Sequence, residues 1–300
     1  MRKYRLYQVD AFTTERFCGN PAGVVPNADG LEEGEMRLIA RELNNSETAF
    51  IFAADGAGHD VRVRFFTPTC EVPSCGHATI AAHYVRALER SLPSCVVVQK
   101  IRAGILPVEV IREAETYRIV MTQGAIEFSE PFTSPVSDEI LAGLGLAPDD
   151  RDERCPIQIV STGHSKVLVG VRSRSTVNRI RPDLIRLSEI SGSIDCNGYF
   201  VFTLDSGCEA MLTHGRMFAP AIGIPEDPVT GNANGPLGAY LVKHGLAEAA
   251  DGELRFRAQQ GEAMGRPGIV DVSVKARGSM PTVVRVGGRA VVVFQSELEL

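Results

Sequence analysis

The sequence lacks any run of about 18 apolar residues, so no segment is long enough for a transmembrane helix. It lacks an excess of positive charge. Its 31 Lys and Arg against 37 Asp and Glu give a net charge of −6, the wrong overall sign for a nucleic-acid-binding protein. Low-complexity stretches, charge blocks and linkers are also missing. The opening Met1-Arg2-Lys3-Tyr4-Arg5 brings in charge too early for the apolar stretch of a signal peptide. The seven cysteines are sparse, odd in number and never spaced Cys-x2-Cys, which suits reduced thiols better than a disulfide framework or zinc module. The expectation is a soluble cytoplasmic protein with no membrane, nucleic-acid or metal partner.

What is present is an ordinary globular composition over 300 residues, 44% apolar and 23% charged. At about 150 residues per domain this length suggests two domains, each able to bury a core. Val61-Arg62-Val63-Arg64-Phe65 alternates as a half-buried strand does, as do Ile157-Gln158-Ile159-Val160 and Val270-Asp271-Val272-Ser273-Val274. Residues 282–286, Gly287-Gly288 and 289–294 read as a hairpin closed on a Gly-Gly turn. Three helices stand out. Residues 31–43 carry a stripe of Met36, Ile39, Ala40 and Leu43, residues 77–88 one of Ala81, Tyr84, Val85 and Leu88, and residues 232–244 group Leu237, Tyr240 and Leu241 before a stop at Gly245. Many strands around few helices indicate an α+β, largely antiparallel architecture.

The last two helices have similar approaches. Phe66-Thr67-Pro68, Val72-Pro73 and Cys75-Gly76-His77-Ala78 precede one; Phe218-Ala219-Pro220, Ile224-Pro225 and Thr230-Gly231-Asn232-Ala233 precede the other. His77 and Asn232 stand 155 residues apart, about half the chain, which suggests an internal duplication into two equivalent lobes. A glycine opening a helix lets the chain turn sharply and leaves the first amides directed outward, where they and the helix dipole favour an anion. Two such ends facing a common cleft would suit a carboxylate or a developing enolate, and hence proton transfer.

Candidate acid/base groups lie near these features. Glu47 follows the first helix and enters the apolar strand Thr48-Ala49-Phe50-Ile51-Phe52, where partial burial would raise a carboxyl pKa from its usual value of about 4.3. Spacing alone favours a solvated surface glutamate at a strand start. Asp227, between Pro225 and Pro228, reads either as a substrate-orienting carboxylate or as an Asp bonded to its own turn. His77 is a proton shuttle or a local packing group. Asn20, in Gly19-Asn20-Pro21, is an amide for a ligand carboxylate or simply a turn residue, and the sequence favours the turn. His59, in a Gly-rich turn, is expected to be solvated. Cys70, Cys75 and His77 do not form a strong zinc signature. Cys75 at a helix start is a nucleophile candidate, although a small residue chosen for tight packing is the favoured reading.

Together these residues resemble the phenazine-biosynthesis PhzF-like family, whose fold is related to that of diaminopimelate epimerase. The resemblance is carried by Val9-Asp10-Ala11-Phe12 with Gly19-Asn20-Pro21-Ala22-Gly23, then Asn45-Ser46-Glu47-Thr48-Ala49-Phe50. It continues through Phe66-Thr67-Pro68, Glu71-Val72-Pro73 and Gly76-His77-Ala78-Thr79 to Phe218-Ala219-Pro220 and the stretch from Gly223-Ile224-Pro225-Glu226-Asp227-Pro228 to Gly231-Asn232-Ala233. The Cys75-Gly76-His77 and Gly231-Asn232-Ala233 variants look most like the YddE-type branch.

The resemblance implies two pseudo-symmetric lobes, residues 1–124 with 280–300 and residues 125–279. Each would be a mostly antiparallel sheet wrapped around a central helix, with the active site in the cleft between them. It implies an isomerase without metal or organic cofactor, homodimeric, acting on a small carboxylate-bearing metabolite by epimerase-type or intramolecular oxidoreductase-type proton transfer. Glu47, His77 and Asp227 match the family's catalytic positions; Asn20, Gly76, Thr230, Gly231 and Asn232 are carried as substrate-binding positions. Asn232 departs from the pattern, replacing a serine of the phenazine enzyme, and Ala78 replaces a common proline. The alternatives are a thiol-dependent amino-acid epimerase or racemase using Cys75, and a non-catalytic metabolite-binding protein of the same fold.

Overall fold

A computed structural model of the protein describes residues 1–300. The chain divides into two compact units, Met1–Thr122 with Gly287–Leu300, and Gln123–Val286. The first contains β1 (Lys3–Ala11), β2 (Asn20–Val25), α1 (Glu33–Leu43), β3 (Thr48–Ala53), β4 (Val61–Phe66), β5 (Glu71–Val72), α2 (Gly76–Arg90), β6 (Cys95–Ile101), β7 (Gly104–Glu113) and β8 (Thr116–Thr122). The second contains β9 (Glu127–Phe128), α3 (Val136–Gly143), β10 (Gln158–Ser161), β11 (Ser165–Gly170), α4 (Arg174–Arg179), α5 (Leu184–Ile194), β12 (Tyr199–Thr203), β13 (Thr213–Ala219), β14 (Ile224–Asp227), α6 (Gly231–Lys243), β15 (Glu253–Gln260) and β16 (Gly268–Arg277). A final strand, β17 (Met280–Glu299), begins in the second unit's residues and ends in the first's. No helix is long and apolar enough to cross a membrane.

The duplication is visible in the strand pairing. In the first unit β1–β2 is antiparallel, β2–β3 parallel, β3–β4 antiparallel, β4–β6 parallel and β6–β7 antiparallel. In the second, β10–β11, β11–β12, β12–β13, β13–β15 and β15–β16 repeat that alternation step for step. Each short strand, β5 or β14, pairs antiparallel with the strand before it and delivers the chain to a helix. The register corrects one detail of the sequence comparison. Val72 lies opposite Phe65 and Asp227 opposite Met217, so Val72-Pro73 corresponds to Asp227-Pro228, not to Ile224-Pro225.

The two repeat helices are the centres of their units. From His77 to Val85 every residue of α2 is buried, and the helix packs on β1, β2, β3, β7 and β8. Almost all of α6 is buried too, against β10, β11, β15 and β16. A helix enclosed on nearly all sides has little room for polar side chains: α6 is mostly small and apolar, and the buried His77, Thr79 and His83 of α2 each have a hydrogen-bond partner. Gly238 shows the fit: a Cβ there would come within 2.8 Å of the Val272 and Val274 side chains. By contrast α1 is amphipathic and lays Met36, Ile39 and Ala40 onto a cluster with Phe50, Phe52 and Phe66. Full burial of a side chain the size of Met36 or Ile39 contributes about 1.5–3 kcal/mol.

Two sequence expectations fail. The 282–294 hairpin does not form, because β17 runs unbroken through Gly287 and Gly288. Those glycines serve close approach: a Cβ on Gly287 would meet the Ile119 carbonyl at 2.8 Å, and one on Gly288 the Phe12 ring at 2.6 Å. The second miss is α3, α4 and α5. α5 was legible from Asp183, whose side chain accepts from the Arg186 amide, followed by Leu187 and Ile190 on one buried face.

Candidate active site

In the first unit the candidate residues converge at the start of α2. Helix α1 ends at Asn44, which takes the left-handed conformation (φ 51°) that asparagine tolerates and turns the chain towards β3. Asn45 is buried and exchanges two amide hydrogen bonds with Gln8: it accepts from Gln8 Nε2 at 2.9 Å and donates to Gln8 Oε1 at 2.8 Å. The Glu47 carbonyl accepts from the Gly23 amide at 3.3 Å. The loop is thus clamped on both sides of Glu47. The glutamate side chain is only 15% exposed, so the reading as a solvated surface residue is set aside.

Glu47 Oε2 lies 3.4 Å from His77 Nε2, and Ser46 Oγ lies 3.3 Å from the same nitrogen. Cys75 Sγ lies over the ring face, 3.5 Å from Nδ1 and 3.9 Å from Nε2. With Nε2–H donated to Glu47, Nδ1 carries the ring's lone pair. These are long hydrogen-bond distances, of the kind that tighten when a substrate engages a catalytic group. The potential ligand atoms of Glu47, Cys75 and His77 all lie within 4.8 Å of one another. Cys70, the other thiol of the sequence pattern, is exposed and bonds locally to Thr67.

The second unit has a matching centre at α6. Cys75 and Thr230 are the N-cap residues of the two repeat helices, and neither side chain caps its helix. The Thr230 hydroxyl instead donates a short hydrogen bond to Asp227 Oδ2. Fully buried Gln260 fastens this corner, donating to the Asp227 carbonyl at 2.8 Å and to Thr230 Oγ1 at 3.1 Å, and accepting from the Thr230 amide at 3.1 Å. The Asp227 carboxylate is thus bonded within its own turn, by Thr230, while Gln260 holds its backbone carbonyl. Asn232 follows in the first turn of α6. Its Oδ1 accepts from Gln123 Nε2 at 3.0 Å, while the Thr162 hydroxyl donates to Gln123 Oε1 and fixes which way that amide faces. Gly235 makes room: a Cβ there would lie 1.8 Å from Gln123 Oε1. Half-buried Lys166 completes the surroundings. Burial pushes its ammonium below the usual lysine range, while nearby Cys196 and Asp227 oppose that shift.

Outside these clusters, Asn20 is the buried first residue of β2, opposite Ala11. The turn belongs instead to Phe17 and Gly19, both at positive φ, and a Cβ on Gly19 would meet the Ala11 carbonyl at 2.2 Å. His59 is not solvated: its ring is 2% exposed and sits 2.9 Å from Asp55. Sequence reasoning missed Gln8, Gln123, Thr162, Lys166 and Gln260, which are distant in the chain and belong to no local motif.

The duplicated sheet-and-helix unit, with titratable side chains at the starts of both central helices, places the chain in the epimerase-like fold class. At 13% identity and a TM-score of 0.65, a hydroxyproline epimerase from Agrobacterium vitis shares this fold over 100% of the chain and 93% of its own. Residues 9–296 match the family described as phenazine biosynthesis-like protein, and the chain belongs to that family. An uncharacterised isomerase of Clostridium acetobutylicum is 57% identical over 100% of the chain and 99% of its own length. The uncharacterised isomerase YddE of Escherichia coli is 47% identical over 98% of each. A Bacillus anthracis phenazine biosynthesis protein of the PhzF family superposes with a TM-score of 0.89 at 31% identity, covering all of both chains. By this membership the protein is an isomerase.

Proposed function

We propose that the protein moves a proton on a small carboxylate-bearing metabolite without a cofactor, with Glu47 as general acid/base. The carboxylate removes a proton from a carbon next to an unsaturated or carboxyl-activated centre. Protonated Glu47 then returns it, to the same or a neighbouring carbon. One observation carries the reading: Glu47 is mostly withdrawn from water and its carboxylate lies 3.4 Å from the His77 ring. His77 orients the carboxylate and Asp227 orients the substrate. Gly76, Gly231 and Asn232, at the helix starts, bind its anionic group together with Asn20 and Thr230.

A second reading is supported by the 3.5 Å separation of Cys75 Sγ and His77 Nδ1, a thiol–imidazole pair suited to a thiol-dependent epimerase. Small carboxylic metabolites incubated with enzyme in deuterated water distinguish the two. Deuterium entering a substrate with wild type and with Cys75→Ser supports the glutamate route. Loss of exchange in folded Cys75→Ser transfers the role to the thiol. Tight binding with no exchange in any metabolite identifies a binding protein and contradicts both.

A further inference from the structure

We propose that Glu47, Cys75 and His77 also form a three-ligand site for a soft divalent cation, with zinc the best fit, and that filling it blocks proton transfer. The cation site stands on its own geometry; the block rests on the glutamate reading given above. Nitrogen, sulfur and oxygen ligands converge from two elements, Glu47 from the loop before β3 and Cys75 and His77 from the start of α2. Around tetrahedral zinc, with bonds of about 2.3 Å to sulfur and about 2.0–2.1 Å to nitrogen or oxygen, ligand atoms stand about 3.3–3.6 Å apart. Here His77 Nε2 is 3.4 Å from Glu47 Oε2 and 3.9 Å from Cys75 Sγ. The Glu47–Cys75 spacing is bounded at 4.8 Å, and Sγ, 3.5 Å from Nδ1 and 3.9 Å from Nε2, lies over the ring face, so a shared ion requires the His77 ring to turn until a nitrogen lone pair points between the other two ligands.

Charge and ligand type agree. A thiolate and a carboxylate neutralise a doubly charged ion, so the nearly buried complex carries no net charge. Thiolate and imidazole favour zinc over magnesium or calcium, which prefer oxygen ligands. Three protein ligands leave a fourth position open, as in exchangeable rather than structural sites. The ion would hold the same Glu47 oxygen that removes the substrate proton, so cation and reaction exclude each other.

The test is cobalt(II) titration of chelator-treated full-length protein under argon, read by the near-ultraviolet thiolate-to-cobalt absorption. The expected result is a band saturating at one equivalent, reversed by zinc and absent in Cys75→Ser. It should persist in Cys70→Ser, and Glu47→Gln should bind at least about tenfold more weakly, as losing a direct ligand costs no less than losing a supporting one. In wild type, zinc should also protect Cys75 from alkylation, a readout that needs no variant. No band, a band that survives in Cys75→Ser, or unprotected Cys75 overturns the site. Where a substrate exchanges deuterium, exchange unaffected by saturating zinc overturns the block. Exchange that survives Glu47→Gln while the cobalt band forms sinks the proton-transfer reading and leaves the cation site standing.

Discussion

Arg216 grips Glu226 with two prongs, Nε to Oε1 at 2.8 Å and Nη2 to Oε2 at 2.7 Å, and thereby ties β13 to the strand that ends in Asp227. The arginine also donates to the Val177 and Ile180 carbonyls and lies over the Phe218 ring. The first unit repeats the device: Arg64 holds Glu71 at 2.8 and 2.7 Å and lies over Phe66. The repeated unit thus includes an ion pair that braces each strand leading to a central helix. Removing Glu226 leaves the nearly buried Arg216 guanidinium without its partner, and breaking such a pair costs about 3–5 kcal/mol. Glu226→Ala should therefore lose about 3 kcal/mol in denaturant unfolding. Glu71→Ala should lose less, because Arg64 is 21% exposed against 7% for Arg216.

His83 provides a pH signature of stability. It is buried in α2 beside Gln99, and burial pushes its pKa down to about 4. The unfolded chain takes up this proton below about pH 6.5, whereas the folded protein does not until about pH 4. Between those values the unfolded state binds more protons, so stability rises with pH and falls on acidification. The loss through this group reaches about 3 kcal/mol by pH 4. Unfolding of wild type and His83→Gln, compared at pH 7 and pH 4.5, should show a flatter dependence in the variant; equal slopes contradict the assignment.

Gln123 should act through Asn232. Its Nε2 occupies the Asn232 oxygen, which turns the Asn232 NH2 to donate elsewhere. Gln123→Met removes that donor without adding charge and frees the Asn232 amide to turn. If Asn232 binds the substrate anion, KM rises at least about tenfold, the scale of a hydrogen bond to a charged group, with kcat little changed. In an Asn232→Ala background the same substitution should have little further effect on KM. An equal effect in both backgrounds would show that Gln123 acts independently of Asn232.

Much of this was legible in the chain, for identifiable reasons. The helix starts at Gly76 and Gly231 announced themselves through glycine and proline punctuation, and the α1 stripe through its period. Arg64 and Glu71 against Arg216 and Glu226 were equally present but went unread, because an ion pair across two strands has no local pattern. Gly287-Gly288 misled because a glycine required for close approach looks the same in sequence as one required for a turn. The burial of Glu47 depends on Gln8 holding Asn45, a contact 37 residues distant, so spacing alone pointed the other way. The thiol beside His77 was visible as a neighbour in sequence but not as the third member of a cluster with Glu47.

The account depends most on Glu47 as the group that takes the proton. The direct measurement is solvent-deuterium incorporation into an exchanging substrate by wild type and Glu47→Gln, with ligand binding and unfolding measured on both. The variant should remain folded and bind substrate, yet exchange about 10²–10⁴-fold more slowly. Equal exchange rates in the two proteins would remove the glutamate from the reaction.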